Sequence, residues 1–267
     1  MRVRDKVFVV TGAGSGIGRE LSLCLLSRGA HVAGVDLDLT ALDATGELAA
    51  GHRDRFEAFA VDVSQRSAVE ALPEQVLARF GRVDGIINNA GIIQPFCRLN
   101  DLEYSTIERV LNVNLFGTLF TTKAFLPHLL RRPEAHIVNV SSMGGFIPVP
   151  GQTIYGAAKA AVKLMTEGLA AELDGTNVRV SVVFPGAVAT NIVGNSGLDV
   201  RQLANRSSGS KAMPASAAAE IIVRGIERNA ARIFVGKVAA FMGKLYRLSP
   251  GYAARAIASK MRALLPA

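Results

Sequence analysis

An α/β fold built on a doubly wound parallel sheet, with helices on both faces, is the class this 267-residue sequence predicts. Three observations lead to it. Short apolar runs alternate with helical segments along most of the chain, which is the pattern of successive βαβ units. The first run, 7–10, closes on Thr11-Gly12-Ala13-Gly14-Ser15-Gly16-Ile17-Gly18 and leads into apolar residues at helical spacing, Ile17, Leu21 and Leu25. Asp36, Asp62 and Asn89 stand at the ends of such runs rather than inside them. In a sheet of this class the ligand crevice lies outside the carboxyl ends of the strands.

The elements follow in order. The run 7–10, the glycine turn and the helix after it read as strand, turn, helix. Gly12, Gly14, Gly16 and Gly18, with Ser15 and Ile17 between them, let the backbone turn sharply. They can bring helix N–H groups close to a phosphate, although a tight βα turn without a ligand has the same composition. The next strand, 31–35, ends at Asp36, 18 residues after Gly18. That is near the spacing of an acid that accepts ribose hydroxyls, and a carboxylate there repels a 2′-phosphate. Leu37 follows, so no arginine stands where a 2′-phosphate would want one. Asp36 therefore argues for NAD over NADP; otherwise it caps the helix starting near Thr40. A helix over 40–50, a strand over 56–61 ending at Asp62-Val63, a helix over 66–80 and a strand over 85–87 ending in Asn88-Asn89-Ala90-Gly91 continue the alternation. Asp62, Val63, Asn89, Ala90 and Gly91 are assigned to the cofactor crevice, where the small Ala90-Gly91 pair lets a nucleoside lie against backbone.

A long helical pattern over 102–130 carries Asn112, Asn114 and Gly117 in its middle. Asn and Gly are poor helix formers, so a local irregularity is expected there. Either Gly117 marks close packing with Asn114 satisfied internally, or Asn114 holds a water in a proton path. The strand 136–140 ends in Ser141-Ser142, and after Gly144, Gly145, Pro148 and Pro150 comes a helix with Tyr155 and Lys159. Residues at i and i+4 share a helical face. An ammonium beside a phenol favours the phenolate and moves its pKa toward the range of general acid–base catalysis. The run 178–184 is the following strand.

Taken together, the glycine turn, Asn88-Asn89-Ala90-Gly91, Asn114, Ser142 and Tyr155-Gly-Ala-Ala-Lys159 resemble the short-chain dehydrogenase/reductase family over about residues 5–236. Ser142 lies 13 residues before Tyr155, the family's usual spacing, which selects it over Ser141. The resemblance implies a Rossmann fold with a seven-stranded parallel sheet, a nicotinamide cofactor, and commonly a homodimer or homotetramer. It also implies that Tyr155 is the proton donor or acceptor. Lys159 would lower its pKa and bind the nicotinamide ribose, Ser142 would hold the substrate oxygen, and Asn114 would position a water. Pro185, Gly186, Val188 and Thr190 fall in a stretch like the family's nicotinamide-side motif.

Composition sets the remaining bounds. Apolar residues make up 49% of the chain, enough for a sizeable core and too many for a disordered protein. The length suits a single domain, 1–267. Cys24 and Cys97 are far apart and the four histidines fall in no ligand pattern, so neither disulfide nor metal is expected, and a reducing, cytoplasmic location is. No signal peptide or spanning segment is expected. Net charge is +8, but from Arg201 onward 12 Lys and Arg face only Glu220 and Glu227, a balance of +10, so the first 200 residues carry −2. The basic excess is thus local, which argues against a nucleic-acid-binding protein.

Residues 191–215 read as a substrate loop and 237–267 as a basic amphipathic extension. In the extension Ala254, Ile257, Ala258, Met261, Leu264 and Leu265 keep helical spacing, with Arg255 and Arg262 on another face. That helix either packs across the substrate pocket or a second subunit, or touches an anionic membrane peripherally. The expected function is NAD-dependent interconversion of an alcohol and a ketone or aldehyde, on an apolar substrate. The alternatives are a 3-oxoacyl-carrier-protein reductase, against which Asp36 weighs, and a non-catalytic dinucleotide-binding scaffold, against which the intact Ser142, Tyr155 and Lys159 weigh.

Overall fold

The computed structural model describes residues 1–198 and 212–261, the side chains of Ala258, Lys260 and Met261 excepted. The chain runs β1 (Val7–Thr11), α1 (Gly16–Ser27), β2 (His31–Asp36), α2 (Leu39–Leu48), β3 (Phe56–Ala60), α3 (Arg66–Phe80) and β4 (Gly85–Asn88). It continues through α4 (Tyr104–Leu111), α5 (Gly117–Leu129), β5 (Ala135–Val140), α6 (Thr153–Glu172) and β6 (Val178–Pro185). After short β7 (Val188–Ala189), α7 (Ile192–Asn195) and β8 (Met213–Pro214) come α8 (Ala215–Glu227), β9 (Arg232–Val235), α9 (Lys237–Leu248) and α10 (Pro250–Met261).

Seven strands form one parallel sheet in the order β3-β2-β1-β4-β5-β6-β9. The twofold period of a strand sends alternate side chains to opposite faces. In β1, Phe8 and Val10 enter one core, with Leu21 and Leu25 of α1 and Ile222 of α8. Val7 and Val9 enter the other, with Val69 and Leu72 of α3 and Phe125 of α5. Both faces are covered, which is why the strands read as continuous apolar runs. The chain winds outward from β1 to β3, returns, and winds the other way from β4. The carboxyl ends of β1 and β4 therefore flank the point where the winding reverses, and a crevice opens there.

The irregularity expected in the long helix is a π-helical turn, Asn112–Phe116, separating α4 from α5. The close packing expected at Gly117 is present, while Asn114 is satisfied internally at its Nδ2 but not at its Oδ1. A side chain at Gly117 would lie 2.9 Å from Val63 Cγ2, and Asn114 is buried inside the turn. The 40–50 helix is shorter than expected, ending at Leu48 and followed by a 3-10 segment, Ala50–Arg55.

The tail corrects a sequence expectation more substantially. It forms two helices, because Ser249 leaves the helical region (φ −149°) and Pro250 suits a first helical position. The inward row is consequently offset: Ala253, with Ile257, joins Met242, Met143, Phe146 and Ile147 in a third core, and Arg255 is exposed. The side chains of Ala258 and Met261, and all of Arg262, Leu264 and Leu265, lie outside the described residues, as do 199–211 of the expected substrate loop. Among the described residues no helix is long and apolar enough to cross a membrane.

Candidate active site

The glycine turn is held open by its neighbours. Gly12 (φ +69°) and Gly16 (φ +53°) take conformations that side chains disfavour. Gly14 N donates to Asp36 Oδ2 at 2.9 Å, and a side chain at Gly14 would lie 2.9 Å from that oxygen and 2.8 Å from Ala41 Cβ. Asp36 is not the cap of α2. That role belongs to Asp38, whose carboxylate accepts from Ala41 N at 3.1 Å, so Asp36 is left on the crevice wall. Gly18 is the one member of the assigned cofactor set that does not line the crevice. A Cβ there would sit 2.0 Å from Gly12 O, so this glycine lets α1 pack on the turn.

Asn89 fixes the other rim. Its side chain donates to Thr11 O at 3.0 Å, and Thr11 Oγ1 accepts from both Asn89 N and Ala90 N at 3.0 Å. Asp62 accepts from Ser64 N and Oγ, which turns the chain after β3 and sets Val63 against Gly117. These residues, with Ser15, Ile17, Gly91, Pro185, Gly186, Val188 and Thr190, line one cavity of about 610 Å³. Such a volume is in the range of small-molecule sites.

Ser142, Tyr155 and Lys159 line the same cavity. Ser141 and Ser142 are separated by their partners. Ser141 is buried and its hydroxyl donates to Lys159 O at 2.7 Å, whereas Ser142 Oγ accepts from Gly144 N at 3.0 Å and keeps its proton free for another oxygen. Lys159 is 4% exposed; its Nζ donates to Val140 O at 2.9 Å and lies 6.0 Å from the Tyr155 ring centre. Burial holds the Lys159 pKa down at about 8. For Tyr155, burial raises the phenol and the Ser142 hydroxyl pulls it the other way. The expected lowering by Lys159 is not seen: desolvation exceeds the pull of the Ser142 hydroxyl, and the phenol is raised above its ordinary value.

Asn114 does not line the cavity. Its Nδ2 donates to Ile92 O and Val110 O, both at 2.9 Å, while its buried Oδ1 has no partner. That oxygen and Lys159 Nζ converge on Gly91, at 2.7 and 3.2 Å from where a Cβ would be. A buried acceptor left open beside an ammonium suits a bridging water.

Two polar residues at the site carry no sequence signal. Gln94 is buried and bonded to the backbone of Tyr155. Asn195, on α7, reaches across the crevice to Ser15 Oγ at 2.7 Å, and the adjoining Ser196 accepts from Ile93 N at 2.9 Å and from the Arg109 guanidinium. Neither belongs to a spacing pattern, because both act across long sequence separations. Among the described residues no group of three or more His, Cys, Asp or Glu is placed to hold a metal.

A doubly wound sheet with a glycine turn at its switch point, and a buried lysine on the helix behind a tyrosine, defines a nucleotide-dependent oxidoreductase. Comparison with known proteins makes this specific. Residues 6–200 match the family described as short chain dehydrogenase, and the chain belongs to that family. The SadH protein of Mycobacterium tuberculosis is 37% identical over 268 residues, covering 98% of this chain and 97% of SadH. A short-chain dehydrogenase/reductase of Burkholderia phymatum, solved with NAD, superposes with a TM-score of 0.86 at 28% identity, covering 94% of this chain and 96% of that one. A short-chain dehydrogenase of Sphingobium yanoikuyae, solved with NADPH, superposes with a TM-score of 0.79 at 28% identity, covering 92% and 94%.

Proposed function

We propose that the chain interconverts an alcohol and a ketone or aldehyde with NAD(H), on a lipophilic substrate. The observation that carries this reading is the cavity itself, with Asp36 at one end and Ser142 and Tyr155 on its wall. The residues suit a dinucleotide: Gly14 and Gly16 leave a cradle that side chains would fill, and Ser15 gives no side-chain cap to the α1 N–H groups, which stay available to a phosphate. A bound nicotinamide supplies or accepts the hydride. Asp36 accepts ribose hydroxyls and repels a 2′-phosphate. Arg19 is turned partly to the protein, its Nε bonded to Thr45 Oγ1 and its Nη2 to Gly14 O and Ala41 O. Solved relatives carry NAD in one case and NADPH in another, so the preference is argued from Asp36 rather than from the fold.

Tyr155 gives its proton to the carbonyl oxygen in reduction and takes it back in oxidation. Ser142 donates to the same oxygen and stabilises charge developing there. Lys159 holds the nicotinamide ribose, and Asn114 Oδ1 orients a water that returns protons to it. Ile92, Ile93 and Ile192 line the same cavity and favour an apolar substrate. Exposed Tyr104, Phe116 and Leu119 on α4, the π turn and α5 support a homodimer or homotetramer, which the mass in solution tests.

Peripheral membrane contact is part of the same proposal. Val238, Phe241 and Leu248 of α9 are 60%, 62% and 86% exposed and share a face at i, i+3 and i+10. From residue 237 on, the chain has six basic residues and no acid, and self-association through this face would set like charges together. The full chain is expected to pellet with phosphatidylglycerol vesicles and not with phosphatidylcholine. Phe241→Ser with Leu248→Ser, which leaves the inward face intact, should cut that binding at least about fivefold. Equal binding by parent and variant contradicts the contact. The activity itself is tested by NADH formation from hydrophobic secondary alcohols.

A further inference from the structure

The helix that carries Tyr155 has no cap of its own. Its flanking residue, Gln152, makes no side-chain bond to the first turn. The first N–H groups of a helix lack intrahelical acceptors, and an oxygen supplied at the second and third positions normally satisfies them. Tyr155 is the third residue of α6, so its own N–H is one of these groups.

We propose that Gln94 is a positioning residue for Tyr155, capping the start of α6 from outside the helix; this rests on Tyr155 being the proton-transfer group. Gln94 lies between β4 and α4 and has no exposed surface. Its Oε1 accepts from Ile154 N at 2.8 Å and from Tyr155 N at 3.0 Å. Its Nε2 donates to Gly151 O at 3.1 Å, and its backbone oxygen accepts from Gln152 Nε2 at 2.7 Å. One buried side chain thus accepts from two first-turn donors and donates to the carbonyl that precedes the helix. A neutral amide does both without placing a charge beside the phenol. An apolar side chain of the same length leaves two part-buried N–H groups without the acceptor they have here, which costs stability.

The same short stretch ties the rest of the site together. Gly91 borders Lys159 Nζ and Asn114 Oδ1, and Ile92 O holds Asn114 Nδ2. Residues 91–94 therefore border Lys159, hold Asn114 and reach Tyr155 from one piece of backbone, and Gln94 is the link to the tyrosine. Without that link the ring is free to leave Ser142, and the downward pull of that hydroxyl on the phenol is lost.

Gln94→Met tests this with activity, NADH binding and pH dependence measured together. The expected result is a kcat at least about tenfold lower, as small misplacements at a reacting centre produce. NADH dissociation stays within about twofold, and the pH midpoint for alcohol oxidation moves upward as the phenol loses Ser142. Gln94→Glu keeps acceptors for both N–H groups but adds charge. It is expected to hold its plateau kcat within about threefold of the parent while its pH midpoint also rises. A folded Gln94→Met protein with unchanged kcat and midpoint overturns the proposal. Should that variant not fold, a folded Gln94→Glu protein whose plateau kcat falls at least about tenfold overturns it instead, because both acceptors are then kept and should hold the tyrosine in place. Tyr155→Phe is the control: if it stays active the proposed reaction fails, whereas an inactive Tyr155→Phe beside an unaffected Gln94→Met removes only the positioning role.

Discussion

Replacing Tyr155 by Phe is expected to lower kcat by about 10² to 10⁴-fold, the contribution of a positioned acid–base group, with NADH binding within about twofold of the parent. The substitution deletes one hydroxyl and leaves the ring packed against Gly144, near Lys159. The α6 N–H bonded to Gln94 is unaffected because it belongs to the backbone. The loss should therefore fall on turnover and not on the cofactor. The pH dependence follows with a definite sign. Burial raises the Tyr155 phenol, so the protonated donor for carbonyl reduction is present at neutral pH and is lost only as pH climbs. Alcohol oxidation needs the phenolate, so its rate rises with pH. Lys159, held down at about 8, loses its charge over the same climb and limits the gain at the alkaline end. Substantial turnover by Tyr155→Phe would remove the tyrosine from the proposed role.

The second large effect concerns the cofactor. Asp36→Ala is expected to weaken NADH binding by about 1.5–3 kcal/mol, the worth of hydrogen bonds to a charged group, and to relax discrimination against NADPH. Part of the loss will come from the glycine turn, since Asp36 Oδ2 also accepts from Gly14 N at 2.9 Å. Asp36→Asn separates the two contributions by keeping an acceptor while removing the charge. Both variants should raise the NADPH-to-NADH affinity ratio, Asp36→Asn with the smaller loss of NADH. Paired titrations that leave the ratio unchanged would contradict the ribose assignment.

The sheet and its crevice were readable from the chain because both depend on local signals. A fully covered parallel strand is a short apolar run, and a polar residue at its end marks the crevice edge, as at Asp36, Asp62 and Asn89. The π turn was legible as a fault in a helical pattern, since Asn112, Asn114 and Gly117 oppose the apolar periodicity around them. Sequence alone could not tell whether Asp36 capped α2, because Asp38 sits two residues away with the same chemistry. Gln94 and Asn195 were invisible because their partners are 61 and 180 residues distant and their value lies wholly in the folded geometry. In the tail, apolar spacing announced a helix but not its inward face. Ala254 and Ala253 are equally apolar, and only packing against Met143 and Phe146 chooses between them.

The most direct test of the proposed reaction is NADH formation, followed by its absorbance, in a panel of hydrophobic secondary alcohols with NAD and with NADP, beside a 3-oxoacyl thioester reduced by NADH. The proposal predicts turnover of at least one apolar alcohol with NAD, weaker turnover with NADP, and none in Tyr155→Phe. Efficient reduction of the thioester alone would favour the acyl-carrier reductase instead. A folded protein that binds NADH and turns over no member of the panel would contradict the reaction proposed for it.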